Sequence, residues 1–121
     1  LHEGEEYLHL FEKDNIMYQK ICTLHDLVPE LGVPALVNGQ QVAIFRLKDD
    51  RVFAVSNFDP FSQANIISRG LTGHLKGVDV VASPMYKQYF VLATGVCLED
   101  EQVTLKTYPV KIDGDDVLIA A

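Results

Sequence analysis

The sequence predicts an all-β fold, a small sandwich or partly closed barrel of short antiparallel strands. Three observations carry that expectation. No helical period is sustained for more than about two turns. Val-, Ile-, Phe- and Tyr-rich runs of strand length recur along the chain, and turn residues punctuate them at even spacing.

Residues 1–16 differ in charge from the rest of the chain. Glu3, Glu5, Glu6, Glu12 and Asp14 against Lys13 give this stretch a net −4 of the chain's −7. Tyr7, Leu8, Leu10 and Phe11 would share one face of a short helix, with little else to anchor it. The segment is therefore expected to be a flexible acidic extension ahead of a single domain over residues 17–121. Tyr18 to Cys22 is the first strand of that domain. Thr23 then caps a brief turn through His25, Asp26 and Leu27, which Pro29 and Gly32 close. Gln41 to Leu47 alternates loosely and leads through Lys48-Asp49-Asp50 into Arg51 to Ser56. Charged turn residues between two Val/Phe/Ile-rich runs make this the clearest hairpin signal in the chain. Val78 to Ala82 and Gln88 to Leu92 are further strands, the second ending at Ala93-Thr94-Gly95. Val103 to Thr107, Val110 to Ile112 and Val117 to Ile119 complete the count, with Asp113-Gly114-Asp115-Asp116 turning the last pair.

Composition sets the outer limits on function. The chain has 121 residues, 48% of them hydrophobic, which suits one domain burying roughly 65–70% of its unfolded surface. A net charge of −7 and a pI near 4.9 disfavour nucleic-acid and anionic-lipid binding, because both need clustered Lys and Arg. No apolar run approaches the roughly 20 residues of a membrane span, and the start of the sequence is acidic where a secretory signal is basic and then apolar. A cytoplasmic protein without nucleic-acid or membrane partners is expected. The two cysteines, Cys22 and Cys97, form no C-x-x-C pair. They read as small buried hydrophobes in a reducing compartment, with a single bridge left open.

Two loops stand out, Asn57-Phe58-Asp59-Pro60-Phe61 and Ala82-Ser83-Pro84-Met85-Tyr86, each following a strand-like apolar run. Taken singly, Asp59-Pro60 and Ser83-Pro84 read as ordinary turn initiators. Their joint context is more specific. Phe53 to Asn57 leads into the first loop, a span containing Gly70, Gly73 and Gly77 separates the two, and Val80-Val81-Ala82 leads into the second. Phe90 and Thr94-Gly95 come after it.

This run resembles the cluster-binding subdomain of Rieske proteins, where the loops carry Cys-Pro-His and Cys-Pro-x-His. In that family two cysteines hold one iron and two histidines the other. Here the four positions are Asp59, Phe61, Ser83 and Tyr86. Neither cysteine lies where it could substitute, Phe61 cannot ligate, and His2, His9, His25 and His74 fall beside neither Asp59 nor Ser83 in sequence. One carboxylate and two hydroxyls also fall short of the oxygen set a hard cation requires. A deleted cluster would leave a void. Phe61, Met85 and Tyr86 are bulky enough to fill it, and Asp59 and Ser83 can hydrogen-bond loop amides.

Gln41 to Arg46, Ser56 to Phe61, Ser68-Arg69-Gly70-Leu71, Val81-Ala82-Ser83-Pro84 and Leu98-Glu99-Asp100-Glu101 together are similar to the small-subunit family of cytoplasmic NAD(P)H-dependent nitrite reductases. That resemblance covers most of residues 17–121. It implies a Rieske-like fold without iron–sulfur ligands. It also implies a large catalytic partner carrying FAD, siroheme and an iron–sulfur cluster, which reduces nitrite to ammonium with electrons from NAD(P)H in nitrogen assimilation. No catalytic, cofactor-binding or metal-binding residue is then expected on this chain, which also lacks a Gly-rich dinucleotide fingerprint. Pro60, Phe61, Pro84 and Met85 at the loop tips are candidate partner contacts, and Arg69 with the Glu99-Asp100-Glu101 run could supply a polar rim. Two alternatives remain. A Rieske-type [2Fe-2S] ferredoxin would need the ligands that are missing. A stand-alone enzyme or β-domain binding module would need Asp59, Tyr86 or His74 to converge on one site.

Overall fold

The computed structural model describes residues 8–11 by their backbone and residues 16–121 in full. Thirteen strands are found among them: β1 (Leu8–Phe11), β2 (Ile16–Thr23), β3 (Val33–Val37), β4 (Gln40–Arg46), β5 (Val52–Ser56), β6 (Phe58–Asp59) and β7 (Ala64–Asn65), followed by β8 (Leu71–Leu75), β9 (Val78–Ala82), β10 (Tyr89–Val91), β11 (Thr107–Tyr108), β12 (Val110–Asp113) and β13 (Asp116–Ile119). They make an antiparallel sheet β1-β2-β13-β12, a second sheet β11-β5-β4-β3, a third sheet β10-β9-β8, and a ribbon β6-β7. All-β architecture is thus confirmed, as a sandwich with open sheet edges rather than a closed barrel.

The second sheet is the middle layer. Val42 and Ile44 of β4 face one core with Ile21, Cys22, Val117 and Ile119 of the first sheet. Ala43 and Phe45 of the same strand face the other core, with Val81 and Phe90 of the third sheet and Ile67, Leu92, Cys97 and Leu105. All four β4 residues have no exposed surface. A strand covered on both faces has no polar side to alternate, which explains why Gln41 to Leu47 reads only as a loose alternation. Cys22 and Cys97 lie in these two different cores, and both are free.

The turns follow from local chemistry. The backbone N–H and hydroxyl of Thr23 both donate to the Asp26 carboxylate, at 2.8 and 3.1 Å, closing the 3-10 turn Leu24–Asp26. Those contacts hold the Asp26 carboxyl below the usual carboxylate range, the backbone N–H contributing most. Arg46 donates to the Leu27 carbonyl at 2.9 Å and pairs with Asp50 at 2.8 Å, tying this turn to the β4–β5 hairpin. Gly95 adopts φ +80°, and a Cβ there would lie 1.9 Å from the Leu105 carbonyl oxygen. Only glycine allows that approach.

Two sequence expectations need correction, and strands β3 and β8 escaped the sequence reading. Residues 8–11 form a strand paired with β2, with Leu8 opposite Gln19 and Phe11 opposite Ile16, instead of a helical face. The rest of the expected flexible extension, residues 1–7 and 12–15, lies outside the described residues. Val103 to Thr107 is not a strand: it contributes one bridge, Val96 to Thr104, and the start of β11. Strand β3 was hidden by Pro34, which an edge strand tolerates. Strand β8 was hidden by Gly73 and by a largely exposed pattern, and it too is an edge.

Candidate functional site: the two facing loops

The first loop leaves β5 at Asn57, which is buried and braces it. The Asn57 side chain accepts the Ser68 N–H at 2.7 Å and donates to the Asn65 carbonyl at 3.3 Å. Its backbone N–H meets the Gln41 carbonyl at 3.0 Å and its carbonyl accepts the Ile67 N–H at 3.1 Å. An Asn serves this position because its amide is donor and acceptor at once. The brace sets the path of β6, which delivers Asp59 to the interior.

Asp59 is fully buried. Its carboxylate accepts the Phe61 N–H at 2.9 Å and the Ser62 hydroxyl at 3.0 Å, while its carbonyl accepts the Gln63 N–H at 2.7 Å. This is an Asx turn folded over Pro60. The second loop forms a matching turn: the Ser83 N–H donates to the Gln88 carbonyl and the Ser83 carbonyl accepts the Lys87 N–H, both at 2.9 Å. The Ser83 hydroxyl then donates to the same Asp59 oxygen that receives Ser62. Two of the four ligand-equivalent positions therefore bond to each other across the loops. Sequence reasoning foresaw local amide contacts for both residues and missed this direct link, because each alone reads as a turn initiator.

The other two positions diverge. Phe61 is half-buried and turns inward, its ring 6.1 Å from that of Phe90 at a 45° tilt, packed on the second core. Tyr86 is 58% exposed and Met85 62% exposed. Of the three bulky residues expected to fill a vacated space, Met85 and Tyr86 are exposed instead, and Phe61 alone packs inward. Met85 and Tyr86 point outward because the Ser83–Lys87 turn is tight and its tip projects from the third sheet. Of the remaining candidates, Pro84 and Arg69 are exposed and Pro60 is half-buried.

A [2Fe-2S] centre of Rieske type needs two thiolates and two imidazoles. The residues present do not fit it. Asp59 and Ser83 are engaged with each other, Phe61 offers carbon, and Tyr86 faces outward. Among the described residues no group of three or more His, Cys, Asp or Glu side chains could hold a metal ion. His74 instead bonds Asp79 through Nδ1 at 3.1 Å, on the third sheet. Hydrogen bonding from His74, then from Arg51 at 2.8 Å, holds the Asp79 carboxyl below its ordinary range. Asp59, Tyr86 and His74 do not converge on one site. The acidic run is also engaged locally: Glu99 accepts the Tyr89 N–H at 2.9 Å and Asp100 accepts the Gln102 N–H at 3.2 Å.

Among the described residues no helix is long and apolar enough to cross a membrane. Residues 17–120 match the family described as Rieske-like [2Fe-2S] domain. The chain is 49% identical over 96 residues to the nitrite reductase (NADH) small subunit of Salmonella typhimurium, covering 78% of this chain and 89% of that one. A solution structure of the NAD(P)H nitrite reductase small subunit from Erwinia carotovora superposes with a TM-score of 0.74 at 39% identity, covering 86% of this chain and 81% of that one. The NAD(P)H nitrite reductase large subunit of Klebsiella oxytoca is 35% identical over 102 residues, 84% of this chain but only 11% of that protein.

Proposed function

The chain belongs to the Rieske-like [2Fe-2S] domain family and, within it, to the nitrite reductase small subunits, and from that membership we propose that it serves as the cluster-free accessory subunit of an NAD(P)H-dependent nitrite reductase. The observation that carries the reading is the closure of the two loops on each other through Ser83 and Asp59. Where relatives in the wider fold would hold iron, this chain has a buried hydrogen bond. A domain built this way contributes binding and positioning, and the redox chemistry falls to the partner.

That partner is a large subunit carrying FAD, siroheme and an iron–sulfur cluster, which passes electrons from NAD(P)H to nitrite and yields ammonium in the cytoplasm. The Klebsiella relationship supports the pairing, since there a matching segment is part of a large-subunit chain. Pro84, Met85 and Arg69 are exposed and suit direct contact with the partner. Pro60 and Phe61 would shape the same tip from beneath, Phe61 by anchoring it to Phe90.

Co-expression with the large subunit tests this reading. The two chains should co-purify, nitrite reduction should fall when this chain is omitted, and the isolated chain should contain no iron. Failure to associate, together with unchanged nitrite reduction, would falsify the proposal.

A further inference from the structure

The outer face of the third sheet is a groove of about 650 Å³ that ends at the Ser83-Pro84 tip. Register places Leu71, Gly73 and Leu75 of β8 on the same face as Ala82 of β9 and Tyr89 of β10. Thr72, Val81 and Phe90 take the opposite face, where Val81 and Phe90 join the core. The groove side is apolar and open along its β8 edge, where Leu71 is 78% exposed, the most of any large hydrophobic residue described, while Val80 and Val91 on the same face are buried and floor it. Gly73 lies between the two leucines, and a Cβ there would meet only Val80, at 3.8 Å. The missing side chain leaves room for one from elsewhere.

Arg69 and Lys87 also line this groove. Lys20, Arg46 and Arg51 meet carboxylates, in Lys20–Asp116, Arg46–Asp50 and Arg51 with Asp49 and Asp79, whereas, among the described residues, Lys48, Lys76 and Lys106 stand outside such pairs on other parts of the surface. Among the described residues no carboxylate lies within ion-pair distance of Arg69 or Lys87. Two uncompensated cations beside an open apolar channel, on a chain of net charge −7, define the complement: an apolar side chain flanked by carboxylates.

We infer that this groove, and not the loop tips alone, is the docking face for the large subunit, whose contacting segment places an apolar side chain over Gly73 and acidic groups against Arg69 and Lys87. The inference rests on the accessory-subunit reading and locates its interface. The large subunit is the fitting occupant because Pro84 makes the groove continuous with the exposed Pro84–Met85 tip. In the Klebsiella protein, moreover, a matching segment and the rest of the large subunit share one polypeptide.

Binding of the full chain to purified large subunit tests it, with three variants. Gly73→Leu fills the groove without meeting backbone, R69E/K87E reverses its charge, and Ile112→Glu alters an exposed apolar residue on the edge strand β12 as a control. Both groove changes should raise Kd at least tenfold, with circular dichroism unchanged, while Ile112→Glu binds as wild type does. If wild type binds and both folded groove variants bind within twofold of it, the groove is overturned and the accessory-subunit reading stands. If wild type itself does not bind, the reading fails and the groove with it. Should Gly73→Leu fail to fold, R69E/K87E decides alone. A wild-type homodimer that Gly73→Leu dissolves would assign the groove to a second copy and overturn the inference.

Discussion

The Ser83 hydroxyl donates to the buried Asp59 carboxylate, joining two loops 24 residues apart at positions where the wider fold carries metal ligands. Asp59 also receives Ser62 and the Phe61 N–H, so it is the hub and Ser83 one spoke. Ser83→Ala should cost about 1.5–3 kcal/mol, the range for a hydrogen bond to a charged group. Asp59→Ala should cost more, because it strands three donors together. Urea denaturation of both single variants and the double variant checks this: a coupling energy near zero would mean that the loops are not joined through this bond.

Phe61 and Met85 sit at corresponding loop tips and should behave oppositely. Phe61→Ala removes a ring packed on Phe90 and should cost about 3 kcal/mol, the low end for Phe→Ala because the residue is only half-buried. Phe61→Asp should prevent folding at 37 °C. Met85→Asp changes a residue that is 62% exposed and should shift stability by no more than about 0.5 kcal/mol. Thermal melts separate the two. Equal destabilisation would mean that Met85 is a core residue too.

Seven of the thirteen strands (β2, β4, β5, β9, β10, β12 and β13) and the two loops were legible because each rests on local signals, such as turn residues and short apolar runs. What escaped depends on neighbours distant in sequence. Val42 to Phe45 are all apolar because two cores share them, which no window of sequence reveals. Pro34 and Gly73 argue against strands unless the strand is an edge, and edges are set by topology. The Asp59–Ser83 bond joins two residues whose local roles are already complete. Met85 and Tyr86 have the volume to fill a space, but volume does not say which way a turn faces.

Gly95 and Gly39 both adopt a positive φ, of 80° and 77°, but differ in what surrounds them. Gly39→Ala meets nothing within 4 Å of the new Cβ and should cost only the conformational penalty, about 1 kcal/mol. Gly95→Ala drives a Cβ into the Leu105 carbonyl, whose own N–H donates to the Gly95 carbonyl at 2.8 Å. The backbone must move, and more than about 2 kcal/mol should be lost. Urea midpoints for the pair check the contrast, and equal losses would remove the steric argument.

Asp79 gives the domain an acid-sensitive contact. His74 and then Arg51 depress its folded pKa, so its stabilising share is complete above the unfolded value near 3.9. That share disappears as pH falls through the lower folded value. Asp79→Asn should therefore be less stable than wild type at pH 6, by under about 1 kcal/mol because the pair is near the surface. At pH 2.5 the difference should shrink. Denaturant midpoints at the two pH values test this, and a gap that does not narrow would mean that the carboxylate's charge contributes nothing.

Cys22 and Cys97 should be silent thiols in the native protein. Burial pushes the Cys22 thiol up to about 11, and burial likewise raises Cys97. The thiolate is the reactive form, and at pH 8 a group with that pKa is ionised in only about one molecule in a thousand. The two residues also lie in separate cores with β4 between them, so neither can reach the other while the sheets stay stacked. Alkylation at pH 8 should thus be slow for both and become fast only in urea, with two equivalents then modified. Fast modification of one thiol without denaturant would mean that its core opens locally, and the site labelled would identify which layer of the sandwich does so.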